Sequence, residues 1–453
     1  MKRRVLVVLT LLLGITVSGP QTAADAARPH RSKLPGDAVI NWNATTADAE
    51  IKAGITPIFD PLHESRLNAM VHLAVHDALN AIDRRYQPYA LDIRVDSQAS
   101  PEAAVATAAR DVLVPVLGEL PPLFPPAAAI ELVEERYTTA LDAIRDGKAK
   151  QDGIAVGHAA AAAILDRRAG DGSDVEFLDF TYPQGTAPGQ FRFVQDLPFA
   201  VAPLWGEVSP FVMRDGSQFR PRAPYDVTGK QYAADFNELK KLGGLNGSTR
   251  TADQTEIGLF WFEAAPLHWN RIARTASLSA GLDMWENARL FGLLNMALAD
   301  GYIGNWDAKH YYNRWRPETA VRLGDTDGNP DTVGDPNWTP LWGSSGATPE
   351  YDSGHTILGE AAAVVLKRVL GTDHMTFTVC SYTLPSDTCT DASPKLRTYD
   401  SFSQAAEENG FSRILVGWHF RNAVEQGAIH GRKIGQLAAD RYLRPVRGST
   451  RGS

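Results

Sequence analysis

The chain is 453 residues long, 44% hydrophobic and 22% charged, the profile of a folded protein rather than a disordered one. Its 45 Lys and Arg against 53 Asp and Glu give a net charge of −8, which argues against a polyanion-binding surface and so against nucleic acid. With 38 Gly and 28 Pro the composition also excludes collagen-like and low-complexity chains.

Lys2, Arg3 and Arg4 precede an apolar run from Val5 to Val17, and Ala24-Asp25-Ala26 follows as a small-x-small cleavage signal. Residues 1–26 therefore read as a secretory signal peptide, with an apolar part too short for a membrane span. An uncleaved anchor is the plain alternative. No second apolar run is long enough to cross a membrane, so the expected mature protein is exported, secreted and free of the membrane.

Leu67, Met70, Val71, Ala74, Val75, Ala78, Leu79 and Ile82 recur at helical spacing. His72 and His76 on that helix are i,i+4 with Asp77 beside them, a spacing that can grip zinc. No Glu stands between them in the metalloprotease pattern, and a polar helix face or interhelical hydrogen bonds explain them more simply. Further helices are expected over Glu102–Leu117, Ala127–Arg145, Lys148–Arg168, Gly229–Leu242 and Asp253–Ala265, with two or three more between Arg271 and Asn305. From Ala169 to Val227 the periodicity disappears and seven prolines fall, which predicts a long irregular excursion over the surface. The expected class is all-α: a signal peptide over 1–26, an N-terminal helical half with the Pro-rich segment over 27–227, a C-terminal helical half over 228–445 and a disordered tail over 446–453.

Three clusters in the C-terminal half can each hold an oxyanion. Lys309 and Arg316 are seven apart, so on one helix they face the same side about 10 Å apart, and Pro317 would end that helix. Taken alone, this spacing is usually a solvated basic face. Ser353-Gly354-His355 falls at the start of an Ala-rich helical run, where free N–H groups and the positive dipole end make an anion site. A simple cap by Ser353 is the alternative there. Arg413 and His419 would point about 120° apart on an unbroken helix, so both reach one ligand only if the chain breaks, and Gly417 is the natural break. A core or surface histidine is the plainer account of His419. Between these clusters Cys380 and Cys389 lie nine positions apart. Export makes a disulfide their default state, a staple of roughly 2–3 kcal/mol.

In this order, K-x6-R-P, S-G-H and S-R-x5-H resemble the three-part signature of the superfamily joining vanadium-dependent haloperoxidases and type 2 phosphatidic acid phosphatases. The link Asp325-Thr326-Asp327-Gly328-Asn329-Pro330 through Trp338-Thr339-Pro340 to Pro349-Glu350-Tyr351 is similar to bacterial haloperoxidases in particular. So is the early helix carrying Asn68 to His72 and Asp77 to Ile82. The resemblance implies a vanadate-binding enzyme: Lys309, Arg316 and Arg413 neutralising the oxyanion, Ser353 hydroxyl and Gly354 N–H bonding it, and His419 the axial vanadium ligand. It further implies that His355 is the acid/base that deprotonates hydrogen peroxide, that Lys309 polarises the peroxide for attack by halide, and that Trp306 walls the halide side.

The same residues fit phosphate and a phosphate ester, with His419 as nucleophile and His355 protonating the leaving group. Phosphatase members usually carry Asp four residues after the last histidine; here that position is Ala423. Without an acidic partner, His419 is expected to serve better as a ligand than as a nucleophile, its tautomer fixed by a backbone carbonyl. Peroxidase chemistry is therefore the first expectation and acid phosphatase the second. An exported oxyanion-binding protein without turnover is the non-enzymatic alternative. Two further departures are Thr348, where some members carry an aromatic or His, and Asp352, where Pro is common and a carboxylate would compete with the anion.

Overall fold

The computed structural model describes residues 36–56, 59–194 and 197–446; the expected signal peptide and residues 447–453 of the expected tail lie outside them. Among the described residues there are thirteen α-helices and two sheets of two strands each, a mostly helical fold.

Five helices open the chain: α1 (Ala38–Ala53), α2 (Pro61–Ile82), α3 (Pro101–Gly118), α4 (Ala127–Asp142) and α5 (Lys148–Arg168). Local chemistry sets their starts. Asp60 accepts from His63 N ahead of Pro61, and Ser100 accepts from Ala103 N ahead of Pro101. In both, a side-chain acceptor caps the turn and a proline sits where its missing N–H costs nothing. α2 is buried nearly all round, not only along its apolar stripe. Its two histidines are bonded within the protein: His72 Nε2 meets Asn43 Nδ2 at 2.7 Å across to α1, and His76 lies between Asp77 and Asn80. No group of three or more His, Cys, Asp or Glu among the described residues could hold a metal ion.

The Pro-rich stretch after α5 contains only the short pair β1 (Leu178–Asp179) and β2 (Ala200–Val201) and one 3-10 turn. It does not simply ride over the surface as the sequence predicts. Trp205 and Phe211 are buried, and the Asp300 carboxylate accepts from the backbone N–H groups of Phe211, Val212 and Met213. One buried carboxylate thus satisfies three amides that the irregular backbone cannot pair with itself.

The chain continues through α6 (Lys230–Gly243), α7 (Ala252–Phe260), α8 (Ala265–Ala280), α9 (Met284–Tyr312), α10 (Pro317–Arg322), α11 (Gly354–Leu370), β3 (His374–Val379), β4 (Arg397–Ser401), α12 (Phe402–Leu415) and α13 (Arg421–Arg441). The helix expected over Asp253–Ala265 stops at Phe260, and Trp261–Ala264 is not helical. Pro266 fits the restart after the break, since in the first turn of the next helix its missing N–H costs nothing. The 29-residue α9 is the central rod, starting at an Asp283–Glu286 capping box and packing on α2, α11 and α13. One continuous hydrophobic core joins residues of α1 through α5 to those of α7, α8, α9, α11, α12 and α13. α13 lies very close on α11: a Cβ at Gly431 would stand 2.1 Å from the Ile357 carbonyl oxygen. No helix of the described residues is long and apolar enough to cross a membrane. The Cys380–Cys389 disulfide is formed, with Cα atoms 5.2 Å apart.

Candidate functional site

A cavity of about 160 Å³ opens where the C-terminal end of α9, the N-terminus of α11 and the turn between α12 and α13 converge. Lys309, Arg316, Gly354, His355, Arg413 and His419 line it, with Trp306 one turn before Lys309. Ser353 does not line it; it is the buried residue immediately before α11 and its hydroxyl accepts from Thr356 Oγ1.

The first cation pair is built differently from the sequence expectation. α9 ends at Tyr312, with Asn313 in the left-handed region at φ 45°, and Arg316 precedes α10. Lys309 and Arg316 are therefore not on one helix, and Pro317 begins a helix instead of ending one. Proline suits that place because its fixed φ is helical and its missing N–H would have had no partner. The Lys309 ammonium donates to the carbonyls of Pro349, Glu350 and Asp352 at 2.9, 3.0 and 3.1 Å. Arg316 donates to the Thr348 carbonyl and hydroxyl and to the Trp418 carbonyl.

Arg413 is held less completely. Its Nη1 donates to Trp261 O at 3.1 Å, while Nε and Nη2 are buried with no partner among the described residues. α12 ends at Leu415, and Gly417 turns the chain at φ 77°. A Cβ on Gly417 would stand 2.6 Å from Gly243 O, so both the turn and the close approach require glycine. The break carries His419 back beside Arg413, its N–H donating to Arg413 O at 3.3 Å.

Each histidine is fixed by one bond on the side of the ring away from its free nitrogen. His355 Nε2 lies 3.0 Å from Glu263 O, and a carbonyl only accepts, so Nε2 carries the proton and Nδ1 is the acceptor. His419 Nδ1 lies 3.0 Å from Glu350 Oε1, which also accepts from Phe420 N at 3.1 Å. His419 therefore does have an acidic partner, contributed from 69 positions away instead of from position 423. This corrects the expectation of a backbone carbonyl behind it. With Nδ1 protonated, the Nε2 lone pair is the ring's free acceptor, the form a ligand or nucleophile requires.

Burial, then the neighbouring cations, pushes the His419 imidazole well below its ordinary range, and burial, then Arg413, does the same to His355. Both rings are neutral. Burial also lowers Arg413 to about 9 and Arg316 to about 10, and burial followed by Arg316 pushes Lys309 well down. Burial raises Glu350 to about 7 against the pull of Lys309 and Arg316. Three cations desolvated around one small cavity repel each other, and an anion bound among them would reverse these shifts. The Asp352 carboxylate does not compete for that place. It accepts from Asn305 Nδ2 at 2.9 Å and lies 3.1 Å from His430 Nδ1, away from the cavity lining. Thr348 lines the cavity and spends its hydroxyl on Arg316.

Sequence reasoning missed Glu350, Glu263 and Trp418. Glu350 stands three residues before Ser353, but nothing in the spacing joins it to His419. Glu263 acts through its carbonyl, which no side-chain pattern can announce.

Residues 289–448 match the family model described as VCPO second helical-bundle domain. A curated relative, the vanadium chloroperoxidase of Curvularia inaequalis, is 26% identical over 263 residues, covering 49% of this chain. The match spans only 42% of that relative's length. Among solved structures, a bacterial vanadium-dependent iodoperoxidase superposes with a TM-score of 0.71 at 22% identity, covering 91% of this chain and 99% of that one. The holo-type bacterial vanadium-dependent chloroperoxidase gives 0.69 at 18% identity, covering 91% and 98%. The fold is that of these solved structures, and the family-model match falls on the part of the chain that carries the cavity residues.

Proposed function

We propose that this chain is an exported vanadium-dependent haloperoxidase, binding vanadate in the cavity of Lys309, Arg316 and Arg413 and using hydrogen peroxide to oxidise a halide. The carrying observation is the pair of unpartnered buried donors on Arg413, in the same cavity as a histidine whose Nε2 is the free acceptor. Buried donors without partners are rare in native proteins, and here they call for an anionic acceptor.

The residues present fit vanadate. Lys309, Arg316 and Arg413 would balance its negative charge, and the Gly354 N–H at the start of α11, which lines the cavity as the Ser353 hydroxyl expected beside it does not, would hold an oxygen. His419 would ligate through Nε2, with Glu350 keeping Nδ1 protonated. When bound, vanadate supplies a Lewis acid that activates peroxide without a redox partner in the protein. His355, neutral with Nδ1 as acceptor, takes the proton from hydrogen peroxide. Lys309, rigidly held by three carbonyls, presents a fixed positive charge to the peroxide oxygens, and Trp306 walls the halide.

The Glu350–His419 pair also favours a second reading, phosphate-ester hydrolysis. His419 Nε2 would attack phosphorus, forming the N–P bond as the ester P–O bond breaks, with the leaving oxygen taking a proton that His355 Nδ1 has first accepted from water or from the incoming ester, since the ring is otherwise neutral. Water would then cleave the phosphohistidine. A carboxylate behind the nucleophile stabilises the imidazolium formed on the way, so the lack of Asp at position 423 does not count against this reaction.

The decisive experiment assays purified protein with and without orthovanadate for peroxide-dependent bromide oxidation and for phosphate-ester hydrolysis. Halogenation that depends on vanadate and is suppressed by excess phosphate is expected. Hydrolysis without vanadate and no halogenation at any pH would install the phosphatase reading. Anion binding with neither activity would leave a binding protein.

A further inference from the structure

The anion-facing arginines share a neighbour whose place in the fold is otherwise unexplained. Trp418 is half-buried in the turn between Gly417 and His419, and its indole is within reach of two guanidinium groups. The Arg316 carbon Cζ is 5.5 Å from the ring centroid and the Arg413 Cζ is 5.3 Å from it. The backbone of the same residue holds both arginines: Trp418 N–H donates to Arg413 O at 3.0 Å, and Trp418 O accepts from Arg316 Nη1 at 3.2 Å. Phe262 meets the indole edge-on at 4.9 Å and is itself stacked on Trp342 at 3.9 Å. The ring is therefore fixed from the side, and Gly346 lies against its far edge, a built Cβ there coming within 3.3 Å of the indole carbons.

We propose that Trp418 is a positioning residue of the oxyanion site, one aromatic ring that anchors both Arg316 and Arg413 and aims them at a common anion. Two buried guanidinium groups of like charge repel and gain by swinging apart into any available water. An electron-rich ring in contact with both attracts each cation, because each faces the π system. The arginines are then already spaced when the anion arrives, and binding does not have to order them.

This inference rests on the oxyanion reading of the cavity, and the test separates the two. Orthovanadate and inorganic phosphate are titrated calorimetrically into the wild type, Trp418→Phe and Trp418→Leu. A fourth protein carries a multiply fluorinated tryptophan at position 418, which keeps the shape and drains the ring of π electrons. Phe restores a π face and is expected to bind within about threefold of wild type. Leu is expected to lose about tenfold or more for both anions, an amount within reach of two cation–π contacts. The fluorinated ring is expected to fall between them although its fold is intact, and it stands in for Leu should that variant fail to fold. Unchanged affinity in the fluorinated protein, or an equal loss in Phe and Leu, overturns the role of the ring. A wild type that binds neither anion overturns the oxyanion reading itself, and the Trp418 inference with it.

Discussion

Two glutamates stand behind two histidines in this cavity, and they present opposite ends. Glu350 turns its carboxylate to His419 Nδ1, whereas Glu263 offers its backbone carbonyl to His355 Nε2. The Glu263 carboxylate faces the other way, paired with Arg271 and accepting from Tyr382 N at 3.1 Å. Burial alone would raise that acid, but Arg271 and then His268 hold it down at about 2. A carbonyl can orient an imidazole but cannot compensate an imidazolium, while a carboxylate does both. His355 is thereby left free to give and take a proton, and His419 is kept as a donor of its Nε2 lone pair.

The sharpest way to break this asymmetry is to remove each ring. His419→Ala is expected to weaken orthovanadate binding by about a hundredfold or more, since the proposed ligand itself would be gone. His355→Ala should keep most of the binding and lose peroxide-dependent turnover. Calorimetry beside an activity assay decides it, and equal losses of binding in the two variants would erase the distinction.

The Glu263 carboxylate should show its separate allegiance in acid. Its folded value of about 2 lies below the ordinary 4.5, so its stabilising contribution is complete above about pH 4.5 and is lost as pH falls toward 2. By linkage this amounts to about 3 kcal/mol. Thermal melts of wild type and Glu263→Gln across that range should converge toward acid pH, because only the wild type has the ionised group to lose. Parallel pH profiles would show that the carboxylate is not what holds this corner.

How much of this was legible in the sequence depended on the range of the interaction. Ser353-Gly354 at a helix start and Gly417 at a helix break are local features, and helix geometry was enough to find them. Pro317 was equally local but ambiguous, since proline both ends and begins helices, and only the left-handed Asn313 decides for the latter. The Trp261–Ala264 break went unread although Pro266 announces it, and that break leaves the Glu263 carbonyl outside helical bonding and available to His355. Glu350 was out of reach because a separation of 69 residues carries no geometry. The Pro-rich excursion was placed on the surface because irregular sequence usually is. Its buried turn at Phe211 to Met213 is held by Asp300, a helix residue that no local pattern ties to that segment.

Glu350→Gln tests the carboxylate more gently. Glutamine retains an oxygen for His419 Nδ1 and Phe420 N, so geometry survives and charge does not. A neutral bond is roughly half as strong as a charge-assisted one. Phosphate-ester hydrolysis, where an imidazolium must form, is expected to fall about tenfold, and orthovanadate affinity by less. If both stay at wild-type values, Glu350 is only a spacer behind the ring.

The smallest effect is expected where sequence reasoning would have placed the largest. A carboxylate introduced by Ala423→Asp would mimic the position used by phosphatases, one helical turn beyond His419. The structure fills that role already, because Glu350 holds Nδ1, and Ala423 is fully buried against the same small cavity that Glu350 lines. Its carbonyl accepts from Ser353 N at 3.2 Å, so the backbone at 423 is committed to holding the start of α11. A second carboxylate there meets a neighbour whose own value is already raised to about 7 by burial, and two like acids in a dry space cannot both ionise. One of them stays protonated and no charge is added behind His419. Hydrolysis should therefore not rise above wild type, while the melting temperature drops by several degrees from the buried polar group. A clear gain in hydrolysis would mean that Glu350 does not serve His419 as a carboxylate in solution, and the contrast between the two histidines would lose its cause.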